Sequence, residues 1–574
     1  MQDIRTDLLQ NLAQLPNRSH CSRDIFRDEL TIMALTRIIE VGHTIGACSK
    51  PLFQWAQARQ ANDMFFIGLR REALNQHCKL AFSAATFQAG HKINNSNFVS
   101  HETGRHLATV NLMNSNLKDL LRQQINENPA WPVIRELLTA IQSAGHQAYL
   151  VGGGVRDMIL GRPPKDHDIA TSARPEDLQR LFPHSNLVGA KFGVILVSRR
   201  GISIEIATFR EEGEYSDRRR PDLVKFSTIE ADARRRDFTC NALYYDPLND
   251  HLLDLVGGVK DISARCLRTV GLPGDRFHED ALRILRAIRF AANLDFEPEA
   301  ETWKSVIASA PLLREISMER VRDELLRGFT GGHPARFLDL LEASGIMAMY
   351  LPELLQLKGC QQPPQFHPEG DVYNHVRVML EHMPQSPSAE LVLAVLLHDI
   401  AKPATQTFDD RIRFNGHDKL GAEMSVNIGR RLRLSNGQIE QVSDMVRRHM
   451  QFINVPSMRK STLRKFLASP NIEDELELHR LDCLGSHGNL DTYDYVQTMQ
   501  QQIHDEGLEK LPVPLLNGDH LIAAGLPPGP GFAHILRRVY DAQLEGDVQT
   551  LDQALALGLS MSSTAGNSFP PRKM

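Results

Sequence analysis

Val151-Gly-Gly-Gly-Val-Arg-Asp157, followed by Lys165-Asp-His-Asp-Ile-Ala170, is the stretch on which the fold turns. Ala148 to Val151 is apolar and reads as a strand, the glycines as a turn, Val155 to Leu160 as a short helix, and the Asp-His-Asp segment as the next strand. Side chains alternate along a strand, so Asp166 and Asp168 share a face, at most roughly 7 Å apart along the chain. Two like charges that close are costly unless a cation lies between them. A pair of Mg²⁺ ions carrying a triphosphate supplies it, because hard oxygen ligands suit Mg²⁺ and two-metal sites drive in-line phosphoryl displacement. Gly153 and Gly154 let backbone N–H groups come close to the phosphates. A lone Gly-Gly is usually only a turn and a lone Asp-x-Asp only surface decoration; the ordered combination carries the reading.

Working outward, the 574-residue chain is 42% hydrophobic and 24% charged, the balance of a soluble globular protein of several domains. Its longest apolar run, Leu391 to Leu397, is far too short for a bilayer, and the N-terminus shows no signal-peptide core, so no membrane partner is expected. Seven cysteines without a Cys-x-x-Cys pair fit reduced thiols and a cytoplasmic location. A net charge of −5 means that any nucleic-acid binding must come from local patches. Residues 1–112 are rich in Asn, Gln and His and carry no motif; they read either as an accessory region or, the reading adopted, as sequence upstream of a true start at Met113.

From Trp131 the pattern sharpens. Trp131 to Ala144 is an amphipathic helix, Gln147 to Val151 a strand, and Pro175 to Leu181 a helix with proline in its first turn. Val194 to Ser198 and Ile202 to Phe209 form a hairpin about Arg200-Gly201. Glu205, a carboxylate inside an apolar alternation, is either a third acid beside Asp166 and Asp168 or a solvent-facing glutamate. Phe209 to Phe226 reads as a long charged loop, and loops of that length are usually functional. Arg234-Arg-Arg-Asp-Phe-Thr-Cys-Asn241 offers arginines for triphosphate and Asp237 and Asn241 for ribose hydroxyls. From His278 strands nearly vanish and helices follow to about residue 560.

In His278-Glu-Asp-Ala-Leu-Arg283, the spacing of Asp280 and Arg283 predicts neighbours on one helical face. A surface ion pair looks the same. As a base reader, however, a carboxylate accepting from an exocyclic amine beside an arginine donating to a ring nitrogen takes cytosine and adenine and rejects uracil and guanine. Arg286 and Arg289 continue this helix and are assigned, with Arg156 and Arg236, to the nucleotide.

These ordered motifs, with Arg219-Arg-Pro221 and Glu279-Asp-x-x-Arg283, resemble the class II tRNA nucleotidyltransferases, the CCA-adding family, over about residues 128 to 360. Poly(A) polymerases share the fold; Gly189-Ala-Lys-Phe-Gly193 looks like the tRNA branch. The resemblance implies an α+β protein: a polymerase-β-like nucleotidyltransferase head with a mixed sheet, then an all-α neck and body and an all-α HD domain. It implies that Asp166 and Asp168 hold catalytic Mg²⁺, that Asp280 and Arg283 select CTP or ATP, and that tRNA is the partner, with no obligate protein partner. The flexible loop at about 210 to 220 is full length, which speaks against an enzyme adding only two cytidines. Addition of the terminal adenosine alone, and poly(A) synthesis, stay open.

A second constellation comprises His375, His398-Asp399, His417, His449 and Asp482. Such a mixed N/O ligand set suits Mn²⁺, Ni²⁺, Fe or Mg²⁺ rather than a structural zinc. His398-Asp399 ends the apolar helix Leu391 to Leu397, which predicts the pair at the mouth of a site. The set resembles the HD phosphohydrolases over about 367 to 500, which implies His375, His398, Asp399 and Asp482 as ligands. Alternatively the histidines are core or capping residues. The expected units are 1–112, a head at 113–270, a body at 271–365, the HD domain at 366–505 and a helical tail at 506–574. A rival of another class is a metal phosphohydrolase whose head only binds nucleotide or RNA.

Overall fold

The structure, a computed structural model, describes residues 116–164, 166–186, 193–213, 224–408, 410–505 and 510–565. Residues 1–112 and the proposed start at Met113 lie outside the described residues. So do Lys165, residues 187–192, which include all of the Gly189–Gly193 motif but its last glycine, and the tip of the charged loop at 214–223.

Before the sheet lies helix α1 (Trp131–Ser143), whose buried Val133, Ile134, Leu137, Leu138 and Ile141 make one apolar stripe. Strand β1 (Ala148–Val151), helix α2 (Gly153–Ile159), strand β2 (Asp168–Thr171) and helix α3 (Pro175–Leu181) follow in the expected order. Gly152 (φ 78°) makes the corner between β1 and α2, in a conformation that favours glycine. Strands β3 (Val194–Arg199) and β4 (Ile202–Thr208) pair antiparallel about Arg200 and Gly201, both at positive φ as a tight hairpin turn needs.

The arms of the charged loop are not structureless, as the sequence suggested. They pair as β5 (Arg210–Glu212) and β6 (Val224–Phe226), with Glu211 opposite Lys225, an opposite-charge cross-strand pair. Helix α4 (Ile229–Arg234) is capped by the Thr228 hydroxyl. Strands β7 (Leu243–Asp246) and β8 (His251–Asp254) complete a six-stranded sheet of order β3-β4-β2-β1-β7-β8. Only β2 and β4 run parallel, so the sheet is mixed.

The two faces of the sheet differ. Leu150, Ile169, Ile195, Ile206 and Tyr245 pack into the main core with α1. Val151, Ala170, Phe209 and Tyr244 face the other way and pack with Ile229 and Ala233 of α4. The second layer is thin, which leaves this face partly open to solvent.

Helices α5 (Pro273–Glu279), α6 (Leu282–Leu294), α7 (Met318–Phe329) and α8 (Pro334–Ala343) form the body. Next come α9 (Val372–Glu381), α10 (Ala389–Leu397), α11 (His417–Arg431), α12 (Asn436–Arg448), α13 (Lys460–Leu467) and α14 (Ile472–Gly485). Every residue from Leu391 to Leu397 in α10 is buried, so α10 is the central helix of this half, apolar all round because it is surrounded. Two short pairings, Cys266–Leu267 with Glu297–Pro298 and Gln406–Phe408 with Ile412–Phe414, interrupt the expected all-helical run. One hydrophobic core runs from Leu121 to Leu481 through head, body and helical half. The tail has its own small core around Leu516, Leu521, Ile535 and Val539. Its helix α15 (Gly531–Glu545) meets α13 through polar contacts, with Asp541 paired to Lys465 and Glu545 accepting from the Ser461 amide. Among the described residues no helix is long and apolar enough to cross a membrane.

Candidate functional site

Asp168 is the first residue of β2, and its register partners across the sheet are Val151 on β1 and Glu205 on β4. Register partners share a face, so Asp168 and Glu205 stand side by side on the thinly covered face, beside Tyr244, the partner of Val151. Asp166 precedes the strand with its side chain exposed. His167 turns away to Asn128, 3.1 Å distant. Loss of hydration on this face, with repulsion from Glu205, pushes the Asp168 carboxyl up to about 6; Arg236 pulls the other way, and the side chain still reaches solvent. Such clustering of acids is what a divalent cation relieves. Gly154 has a steric role as well, since a Cβ there would lie 2.7 Å from the Asp166 carbonyl oxygen.

Beside the acids lies a wired set of cations. Arg236 reaches Asp232 (3.0 Å) and lies over the Tyr244 ring, while the Tyr244 hydroxyl donates to Asp232 at 2.7 Å. Burial raises the Asp232 carboxyl, but Arg236 and Arg235 outweigh it and hold the group at about 2. A second chain runs Arg286–Asp237–Asn241–Arg156–Asp157. Arg286 donates to Asp237 (3.0 and 2.5 Å), the Asn241 amide donates to Asp237 (3.2 Å), and Arg156 donates to Asn241 (2.6 Å) and Asp157 (2.9 Å). Burial raises Asp237 too, yet Arg286 holds it at about 2. Arg156, Arg286 and Arg289 crowd the Phe290 ring, with Arg289 also paired to Glu324 at 2.6 Å. Arg156, Arg236, Asp237, Asn241, Arg286 and Arg289, named from the sequence, are therefore oriented by partners within the protein.

The expectation that Asp280 and Arg283 share one helical face is overturned. Helix α5 ends at Glu279, Asp280 is extended (φ −137°, ψ 102°), and α6 begins at Leu282. Asp280 accepts from the Leu282 amide (3.1 Å), which satisfies one orphan donor of the new helix, and meets Arg320 at 3.4 Å. Arg283 donates to Glu279 (2.6 Å) and to the backbone oxygens of Arg276 and Arg235. Both side chains are thus fixed on a corner between two helices instead of along a helix.

The second constellation is assembled, but differently from the mouth that the sequence suggested: His398 and Asp399 are 1% and 2% exposed. His375 Nε2 lies 3.1 Å from Asp482, and His398 Nε2 3.1 Å from Asp399. His417 and His449 approach the other Asp399 oxygen at 3.5 and 3.9 Å. Each imidazole has its Nδ1 against an oxygen: Glu369 and Gly485 for His375, Val395 for His398, Phe414 for His417 and Val446 for His449. A carbonyl can only accept, so the proton sits on Nδ1 in the last three, and their Nε2 atoms present lone pairs. His417 Nε2 and His449 Nε2 are then 3.3 Å apart, lone pair to lone pair. His375 Nε2, His398 Nε2 and Asp399 Oδ1 are buried without a hydrogen-bond partner. Such orphaned acceptors fit a cation held by the groups His375–His398–Asp399 and Asp399–His417–His449. Burial lowers His375, but Asp482 and Glu369 raise it to about 9, so a proton can take the place facing Asp482 that a cation would.

Residues 148–268 match the poly A polymerase head domain. Residues 295–357 match the probable RNA and SrmB-binding site of polymerase A, and residues 371–482 the HD domain. The CCA-adding enzyme of Geobacillus stearothermophilus is 44% identical over 227 residues, 39% of this chain and 56% of that protein. That of Streptococcus suis is 49% identical over 185 residues, 32% and 46% of the two chains. The chain spans about half the length of the curated relatives it matches. The solved Bacillus stearothermophilus CCA-adding enzyme in complex with CTP superposes with a TM-score of 0.59 at 26% identity, covering 76% of this chain and 99% of that one.

Several residues around the two candidate sites escaped the sequence reading. Asp232 could have been found, because it precedes Arg235 and Arg236 by three and four positions in a helical segment. Arg320, Glu324, Lys402 and Glu369 lie 40, 35, 3 and 6 positions from the residues they hold, and only the last two distances are local.

Proposed function

We propose that the protein is a tRNA nucleotidyltransferase that adds the 3′-terminal CCA from CTP and ATP without a nucleic-acid template. The observation that carries this reading is the row Asp168–Glu205, with Asp166 beside it and the Arg236 guanidinium close enough to act on Asp168, in a head that also holds the wired Arg286–Asp237–Asn241–Arg156 chain. The relatives bearing the name CCA-adding enzyme support the same choice. Asp166 and Asp168, with Glu205 as a third carboxylate, hold Mg²⁺; when bound, it supplies charge neutralisation at the triphosphate and lowers the pKa of the attacking hydroxyl. Arg156, Arg236, Arg286 and Arg289 orient the triphosphate and sugar around Gly153 and Gly154; Asn241 holds Arg156, Asp232 holds Arg236, Asp237 holds Arg286 and Glu324 holds Arg289. Asp280 accepts from the exocyclic amine of cytosine or adenine, and Arg283 donates to the ring nitrogen. The 3′-hydroxyl of tRNA attacks the α-phosphorus in line and pyrophosphate leaves.

The same reading divides the chain at 113–270, 271–365, 366–505 and 506–574, places it in the cytoplasm, and makes the HD half a divalent-metal phosphohydrolase through His375, His398, Asp399 and Asp482, with His417 and His449. The test is incorporation of labelled CTP and ATP into tRNA transcripts ending at the discriminator, at C and at CC. Addition of C, C and A to the shortest transcript is expected. Addition of A only to the CC-ended transcript, long A tails on any RNA, or no incorporation would each overturn it, the last in favour of the phosphohydrolase.

A further inference from the structure

The segment between the body and α9 enters the HD centre. Residues 358–370 lie between the stretches matched to the polymerase body and to the HD domain, which starts at residue 371. The segment is pinned at both ends of its path: Gln361 bridges Asp371, the Val372 amide donates to Cys360, and the Gly359 amide donates to the Asp371 carboxylate. From this anchored connector two buried side chains reach the metal-ligand set.

The first is Glu369. One of its oxygens accepts from both His375 Nδ1 (2.9 Å) and His367 Nδ1 (2.9 Å). Its other oxygen is buried with no hydrogen-bond partner. Gly370, at φ 112°, makes the turn that places Glu369 there, a backbone state closed to most other residues. Holding Nδ1–H fixes the His375 tautomer and ring plane, and so aims its Nε2 at the centre.

The second is Gln362, 2% exposed. Its oxygen accepts from Lys402 Nζ at 2.7 Å, and Lys402 Nζ in turn meets Asp399 Oδ2 at 2.6 Å. Lys402 thereby occupies one oxygen of Asp399 and leaves Oδ1, which has no hydrogen-bond partner, to His417 and His449. Gln362 sets which way Lys402 points, and Lys402 sets which carboxylate oxygen is offered.

We propose that the connector 361–370 is a working part of the HD metal centre, with Glu369 and Gln362 as positioning residues for His375 and for the Lys402–Asp399 pair. The proposal rests on the reading of that centre as a metal site. It assigns function to a segment that neither matched domain contains.

The test is calorimetric titration of Mn²⁺ into the full-length chain carrying Asp166→Ala and Asp168→Ala, which leaves the head with Glu205 alone of its three acids. Further variants are Glu369→Gln, Glu369→Leu, Gln362→Leu and His398→Ala. Glu369→Gln keeps one acceptor and is expected to weaken Mn²⁺ about 10-fold, and Glu369→Leu about 100-fold, the range for outer-shell partners of metal ligands. Gln362→Leu is expected to weaken it severalfold. The same substitutions in a chain with intact Asp166 and Asp168 should leave CTP incorporation and the circular dichroism spectrum unchanged, with only a modest fall in melting temperature, which separates positioning from loss of the fold. Affinity within twofold of the parent in Glu369→Leu overturns the proposal. Complete loss of binding in Glu369→Gln also overturns it, because Glu369 would then be a ligand. If His398→Ala titrates like the parent, the metal reading itself fails and the proposal falls with it.

Discussion

Replacing Asp168 by Asn should stabilise the metal-free protein while abolishing incorporation. Asp168 sits beside Glu205 on adjacent strands, with Asp166 two residues earlier, and its carboxyl stands at about 6 instead of 3.8. A displacement of about two pH units corresponds to about 3 kcal/mol. The side chain reaches solvent, so screening leaves roughly a third of that, about 1 kcal/mol. The sign follows from proton linkage. A carboxyl with a raised folded-state pKa favours folding when protonated, so its contribution is fully present below about pH 4 and lost as pH rises through 6. At pH 8 without divalent cation, Asp168→Asn should therefore melt about 1–2 °C above the parent, a small rise for a core of this size. Between pH 6 and 4 the parent should gain stability and the variant should not. Adding Mg²⁺ with CTP should reverse the order, because ligand bound only to the folded parent stabilises it by mass action. Differential scanning calorimetry across pH, with and without Mg²⁺–CTP, reads all of this. A variant that melts below the parent at pH 8 without metal would refute the reasoning, since the acid row would then be a stabilising feature instead of a strained cation site.

Other outcomes follow from the same geometry. Asp232→Asn removes a carboxylate that pairs with both Arg235 and Arg236 and should cost about 3–5 kcal/mol by denaturant titration; in the parent this contribution is present above about pH 4 and lost as pH falls through 2. Asp280→Ala or Arg283→Ala should relax base choice by about 10- to 100-fold in the CTP-to-UTP ratio of kcat/KM, and unchanged discrimination would reject side-chain base selection. Gly154→Ala places a methyl 2.7 Å from the Asp166 carbonyl oxygen and should lower incorporation more than about tenfold with the fold intact by circular dichroism. His398→Ala should abolish metal-dependent hydrolysis of bis-p-nitrophenyl phosphate while CTP incorporation continues; loss of both together would tie the two centres into one.

The strand–turn–helix–strand order around Gly152 was legible because each signal is local: an apolar run of four, a glycine corner, and a two-residue alternation. The Arg200-Gly201 turn was legible for the same reason. The charged loop was half legible, since cross-strand pairing of Glu211 with Lys225 joins residues fourteen apart. The corner at Asp280 was misread because 3.6-residue spacing continues formally through His278 to Phe290. Nothing local shows that the helix breaks so that the Asp280 carboxylate can cap the next one.

By itself the sequence determined the order of elements and the chemical types at the candidate sites, because hydrophobic period, turn residues and motif spacing act over a few residues. Only the tertiary structure decided which groups face one another. Glu205 joined Asp168 through strand register, a relation between segments 37 residues apart. His398 and Asp399 proved buried instead of at a mouth because α9, α11, α12 and α14 close around the end of α10. The tautomers that turn the Nε2 atoms inward were set by oxygens on the backbone and on Glu369, atoms whose positions no residue spacing specifies.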